Sequence, residues 1–93
     1  MAVSLKKIAE ELSITRNELL RQSIISLLKE HLRICNTERL VLCSKFGVSS
    51  LEEMDDLIVK GKVEEDDILE DFQRVDFLIS KAKKIKSILK GME

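Results

Sequence analysis

Apolar residues recur every three or four positions over most of the chain, the spacing that places them along one side of a helix. The first such stretch is LKKIAEELSITRNELLRQSI, Leu5 to Ile24, which predicts a short helix, a tight corner and a second helix. Ile8, Ala9 and Leu12 form the expected apolar side of the first helix, Ile14 sits in the corner, and Leu19 and Leu20 point inward from the second. Thr15 and Glu18 have the spacing of a capping box, in which each side chain satisfies the other residue's backbone donor. The long helix that follows is expected over residues 16–46.

Two adjoining apolar seams run along that helix. One passes through Leu20, Ile24, Leu27, His31 and Ile34, the other through Ile25, Leu28, Leu32, Cys35, Leu42 and Phe46. A stripe this wide needs more than one helix to cover it, and Leu20, Ile24, Leu27, Leu28 and Leu32 are the candidate self-association residues. Gly47 is placed to end the helix in a left-handed cap. Ser49 or Ser50 then caps a short helix over residues 50–60, and Gly61 ends it. A closing helix over residues 66–90 runs through Ile68, Phe72, Val75, Ile79, Ala82, Ile85 and Leu89, behind a loop at residues 60–67. The closing helix, about 37 Å long, nearly matches the long one at about 45 Å, so the two can lie antiparallel. The expected fold is all-α: a helical hairpin or bundle, one domain over residues 1–93, completed by dimerisation.

Composition supports helices and limits the core. Leu, Ile, Lys and Glu dominate, proline, tryptophan and tyrosine are absent, and 35% of the residues are charged. At 93 residues the chain buries little surface by itself, which favours a homo-oligomer or another protein partner. No apolar run reaches the roughly 18 residues that span a bilayer, and the start, MAVSLKK, lacks the apolar stretch of a signal peptide. A soluble, cytoplasmic protein with no membrane contact is expected.

The net charge of −1 hides a strong segregation. Residues 1–46 carry a net +3, residues 47–76 a net −8 and residues 77–93 a net +4. The basic Lys81, Lys83, Lys84 and Lys86 are expected near the hairpin end that holds the N-terminal corner. Segments of opposite sign can pair with one another or serve separate partners.

Chemistry for catalysis is not visible. The single histidine, His31, lies on an apolar seam and reads as a core or interface residue, and three scattered glycines build no phosphate loop. Cys35 and Cys43 are about 12 Å apart along one helix, too far for a disulfide, and read as small apolar residues. Glu64 to Asp67 are consecutive and lack the spaced oxygen ligands of a calcium loop. Neither enzyme activity, nor a metal, nor a cofactor is expected.

From about Arg16 onward, RNELLRQSIISLLKEHLRICNTERLVLCSKFGV, SSLEEMDDLIVKGKVEEDD and ILEDFQRVDFLISK together resemble small archaeal antitoxins of toxin–antitoxin pairs. The resemblance implies a helical protein that binds and neutralises a toxin encoded beside it, often a nuclease, and that holds its own promoter DNA through a helix-turn-helix or ribbon-helix-helix portion. The corner SITRNELLRQSI resembles both classes. A possible strand at Val3 to Leu5 stands only about eight residues from it, too few for the first helix of the ribbon class, so helix-turn-helix spacing fits better. Ser13 stands where that class has glycine.

The candidate DNA contacts are Thr15, Arg16, Asn17 and Arg21, the leading side chains of the second helix. The candidate toxin contacts are Glu52, Glu53, Asp55, Asp56, Glu64, Glu65, Asp66 and Asp67, because proteins acting on nucleic acid present basic clefts. A purely self-associating structural protein and a transcription regulator without a toxin are the alternatives.

Overall fold

The computed structural model describes residues 4–93 and is all-helical. Four helices follow in order: α1 (Leu5–Leu12), α2 (Arg16–Lys45), α3 (Leu51–Val59) and α4 (Glu65–Met92). The 30 residues of α2 are continuous, and α4 is 28 residues long, starting one residue earlier and ending two later than its periodicity predicts. The loop before it shortens accordingly to residues 60–64. Val3 lies outside the described residues. Leu5 already opens α1, so the strand considered there does not include it.

The first three helices start where a short polar side chain takes an orphan backbone donor. Ser4 accepts from the Lys7 amide, Thr15 from the Glu18 amide and Ser50 from the Glu53 amide. The box at Thr15 is only half made, because the Glu18 carboxylate turns forward to accept from Arg21 and Gln22. α4 has no side-chain cap, and the carboxylates of Glu65, Asp66 and Asp67 in its first turn compensate against the positive end of the helix dipole.

Three helices stop in one way. The residues after α1, α2 and α3 that take left-handed backbone angles are Ser13 (φ 57°), Gly47 (φ 69°) and Gly61 (φ 66°). At each, two backward amide bonds close the cap: Ser13 to Glu10 and Ile14 to Ala9, Gly47 to Ser44 and Val48 to Cys43, Gly61 to Ile58 and Lys62 to Leu57. Only the first lacks glycine, and a side chain there strains the backbone by about 1 kcal/mol. Ser13→Gly is therefore expected to stabilise the protein by about 0.5–1 kcal/mol, visible as a thermal midpoint raised by a few degrees. An unchanged or lowered midpoint would show that the strain is relieved by other means.

The core lies between α2 and α4, which pack antiparallel along most of their length. Its middle section is Cys35, Leu78, Ala82, Ile85 and Leu89, flanked by Ile25, Leu28 and Leu32. A second section, toward the α3 end, gathers Cys43, Met54, Ile68 and Val75 with Phe46, Leu51, Ile58 and Phe72 around them. Leu42 borders both. Both cysteines are buried and free.

Several positions differ from the pattern's expectation. Leu12 is 59% exposed and Leu20 38%, because α1 has only eight residues and rests on the start of α2 through Ala9 and Leu19. His31 is exposed rather than in the core. Leu28 and Leu32 pack against the hairpin core, so α4, not a second copy, covers them.

With principal dimensions of 60 × 30 × 16 Å, the molecule is little more than one helix thick. Its radius of gyration, 19.3 Å, compares with about 12 Å for a compact domain of this length. Such a shape leaves the hairpin with two broad faces, and α3 occupies part of only one.

Candidate functional site

The acidic end is built by topology. α2 ends at Lys45, α3 folds back beside it, and five residues separate the end of α3 from the start of α4, so most carboxylates of residues 47–76 gather toward one end of the rod. All eight predicted partner residues are exposed. Glu53 has a structural task, since its carboxylate accepts from the Ser49 amide at 2.7 Å and from the Ser49 hydroxyl. Among the described residues, none of Glu52, Asp55, Asp56, Glu64, Glu65, Asp66 and Asp67 has a cation within ion-pair distance. Nor do any described His, Cys, Asp and Glu side chains converge tightly enough to hold a metal.

Two ion pairs fix the register of α2 on α4 at this end. Lys45 Nζ donates to Asp71 Oδ2 at 2.8 Å, and that bond raises the Lys45 pKa above its ordinary value. The Arg74 guanidinium makes a forked pair with Glu38, Nη2 to Oε1 at 2.9 Å, while its other face lies over the Phe77 ring. Hydrogen bonding to Arg74 holds the Glu38 carboxyl below the usual carboxylate range, so that pair stays charged throughout the neutral range.

At the other end, Thr15, Arg16, Asn17 and Arg21 are all exposed, but they are not equivalent. The Thr15 hydroxyl oxygen is the cap of α2. Arg21 donates to the Met92 carbonyl at 2.9 Å and to Glu18, tying α2 to the end of α4, and only Arg16 and Asn17 remain without such ties.

The lysines of α4 lie elsewhere than expected. Lys83 and Lys86, with Arg39 and Asn36, line a cleft of about 310 Å³ beside Ser49, Ser50, Leu51 and the acidic Glu52, at the start of α3. Antiparallel register sets them opposite the middle of α2, beside Asn36 and Arg39, which stand about six turns from the N-terminal corner. Periodicity alone missed this cleft, because it depends on where α3 lands. The charge alternation of Arg39 and Lys83 with apolar Ile79 and Ala82 was the available signal.

The opposite broad face carries the seam that periodicity picked out on α2. Leu20 (38% exposed), Ile24 (47%), Leu27 (59%) and Ile34 (47%) remain open, and Val41 (62%) continues them. Phe77 and Ile88, each about half exposed, extend the patch onto α4, where Phe77 shares a shallow depression with Glu38 and Arg74. α3 contributes nothing to that depression. No described helix is long and apolar enough to cross a membrane.

The arrangement offers surfaces of distinct chemistry, acidic, basic and apolar, and among the described residues no nucleophile is set beside a base. Neither a curated protein nor a solved structure matches the chain. Over residues 1–93 it matches the family described as Uncharacterized protein MJ0235 family, and the chain therefore belongs to that family.

Proposed function

We propose that the chain is a non-catalytic binding protein that captures a basic protein partner on its acidic end, the antitoxin-like role that the sequence resemblance implies. The observation that carries this reading is the group of seven exposed carboxylates on α3 and the start of α4 that find no cation within the described residues. Like charges crowded on a fixed scaffold repel one another, and a basic surface relieves that repulsion while being steered toward it over a Debye length of about 8–10 Å. Carboxylates spaced along a helix and a loop can stand in for the phosphates of a nucleic-acid chain, which is how such a protein would occlude a nuclease.

The proposal does not extend to promoter DNA. Arg21 is occupied by the Met92 carbonyl and Glu18, and Thr15 by its capping role, which leaves Arg16 and Asn17 as a small basis for a base-reading surface.

The test is retention of a partner by the tagged full-length protein in its own cells. Wild type is expected to retain a small basic protein. The variant carrying Glu52→Gln, Asp55→Asn, Asp56→Asn, Glu65→Gln and Asp66→Asn is expected to retain at least about tenfold less, and raised salt to weaken wild type in the same direction. Equal retention by the variant, with unchanged helicity, would refute the acidic-end reading.

A further inference from the structure

We infer that the open face of α2 is the contact surface of a homodimer, in which two copies lie antiparallel about a two-fold axis close to His31. The inference stands apart from partner capture at the acidic end, because α3 and the depression beside Phe77 belong to different faces.

Three observations converge on a second copy. First, Leu20, Ile24, Leu27, His31, Ile34, Glu38 and Val41 follow one another at alternating steps of four and three, a heptad seam of three repeats about 31 Å long. Its apolar members are 38–62% exposed, as single-layer geometry allows and a finished core does not.

Second, the seam is complementary to its own reverse. Turned end for end about a point close to His31, Leu20 comes level with Val41 and Leu27 with Ile34 to within one residue, apolar against apolar. Ile24 meets Glu38, whose carboxylate is already held by Arg74. His31 meets its own copy. A polar residue at one seam position is a known device for fixing register at some cost in stability, and an isologous two-fold contact is the commonest way for one surface to pair with itself.

Third, the charge of the rod selects the orientation. Residues 47–76 carry a net −8 at one end and residues 77–93 a net +4 toward the other. A parallel pair stacks acid on acid. An antiparallel pair keeps the two acidic ends apart and sets each beside the end of the partner that has no acidic excess, which is the electrostatic preference that specifies orientation and suppresses the alternative.

The experiment is the solution mass of the full-length protein by light scattering, followed by cross-linking. Wild type is expected at twice the chain mass, and Leu27→Asp and Ile34→Asp, each separately, at the mass of one chain with unchanged helicity, since both side chains are exposed. Leu20→Cys mixed with Val41→Cys is expected to give a cross-linked pair on mild oxidation, while the native cysteines are buried. Leu20→Cys alone is expected to give none, because its copies stand about 31 Å apart, far beyond disulfide reach. A monomeric wild type would overturn the inference. So would a dimer that survives both Asp substitutions, or one in which Leu20→Cys cross-links to itself.

Discussion

Leu78→Asp is expected to abolish folding of the hairpin. Leu78 is 2% exposed and lies among Cys35, Ala82, Ile85 and Leu89, where α4 meets the middle of α2. A carboxylate there meets no cation and no hydrogen-bond donor from those neighbours, and leaving a charge or an unsatisfied polar group in such a site costs several kcal/mol. A domain of this size has about 5–10 kcal/mol in total. The loss is large relative to that total because the hairpin is a single layer, with no further elements to keep it closed once its middle opens. Far-ultraviolet circular dichroism should show most of the helicity gone at room temperature. Leu78→Ala should instead fold with about 2–5 kcal/mol less stability in a denaturant titration. A Leu78→Asp protein that melts within a few degrees of wild type would mean that Leu78 is not the centre of the core.

The second large effect is expected at Met54, and it should be local. α3 has nine residues, too few to stay helical in water without tertiary support. Met54, fully buried, is its anchor into the cluster of Cys43, Ile68 and Val75. Met54→Ala removes several heavy atoms from a closed site, a change worth about 2–5 kcal/mol where the surroundings cannot collapse into the space. The cost falls on the attachment of α3 before it falls on the α2–α4 hairpin, whose middle section contains no α3 residue. Amide exchange should therefore speed up over residues 51–59 and the start of α4 while residues 25–35 and 78–89 stay protected. Uniform loss of protection would contradict a separable end. Because Glu52, Asp55 and Asp56 ride on α3, the same substitution should weaken capture of a basic partner without removing one carboxylate.

How much of this was legible in the sequence depended on whether one helix or two decided the matter. The caps at Thr15, Ser50, Gly47 and Gly61 are local events, and the helix limits they predict fall within a residue or so of those observed. Buried positions on α4 also follow from its own period, Leu78 excepted; it lies three residues after Val75 and four before Ala82, but the period equally admits Ile79, which is only half buried. Positions settled by a second element were harder. The two seams on α2 are adjacent, and only the placement of α4 shows that Leu28 and Leu32 belong to the core while Leu20, Ile24 and Leu27 do not. Lys83 and Lys86 lie nearer the middle of the rod than residue order implies for the same reason, as their neighbours are fixed by antiparallel register and by α3. Segregation of charge into an acidic and a basic part was readable from residue order alone, because α3 and the α4 start had to share an end once Gly47 and Gly61 turned the chain.

The two buried thiols acquire a use from their positions. Cys35 belongs to the middle section of the core and Cys43 to the section under α3, so each half of the rod holds its own chemical reporter. A thiol reagent that modifies Cys43 while sparing Cys35 has found molecules whose acidic end is open and whose hairpin is still closed. One that takes both at equal rates has found only molecules that come apart as a whole. The protein thus carries, without any added label, the means of telling whether its two halves breathe separately or together.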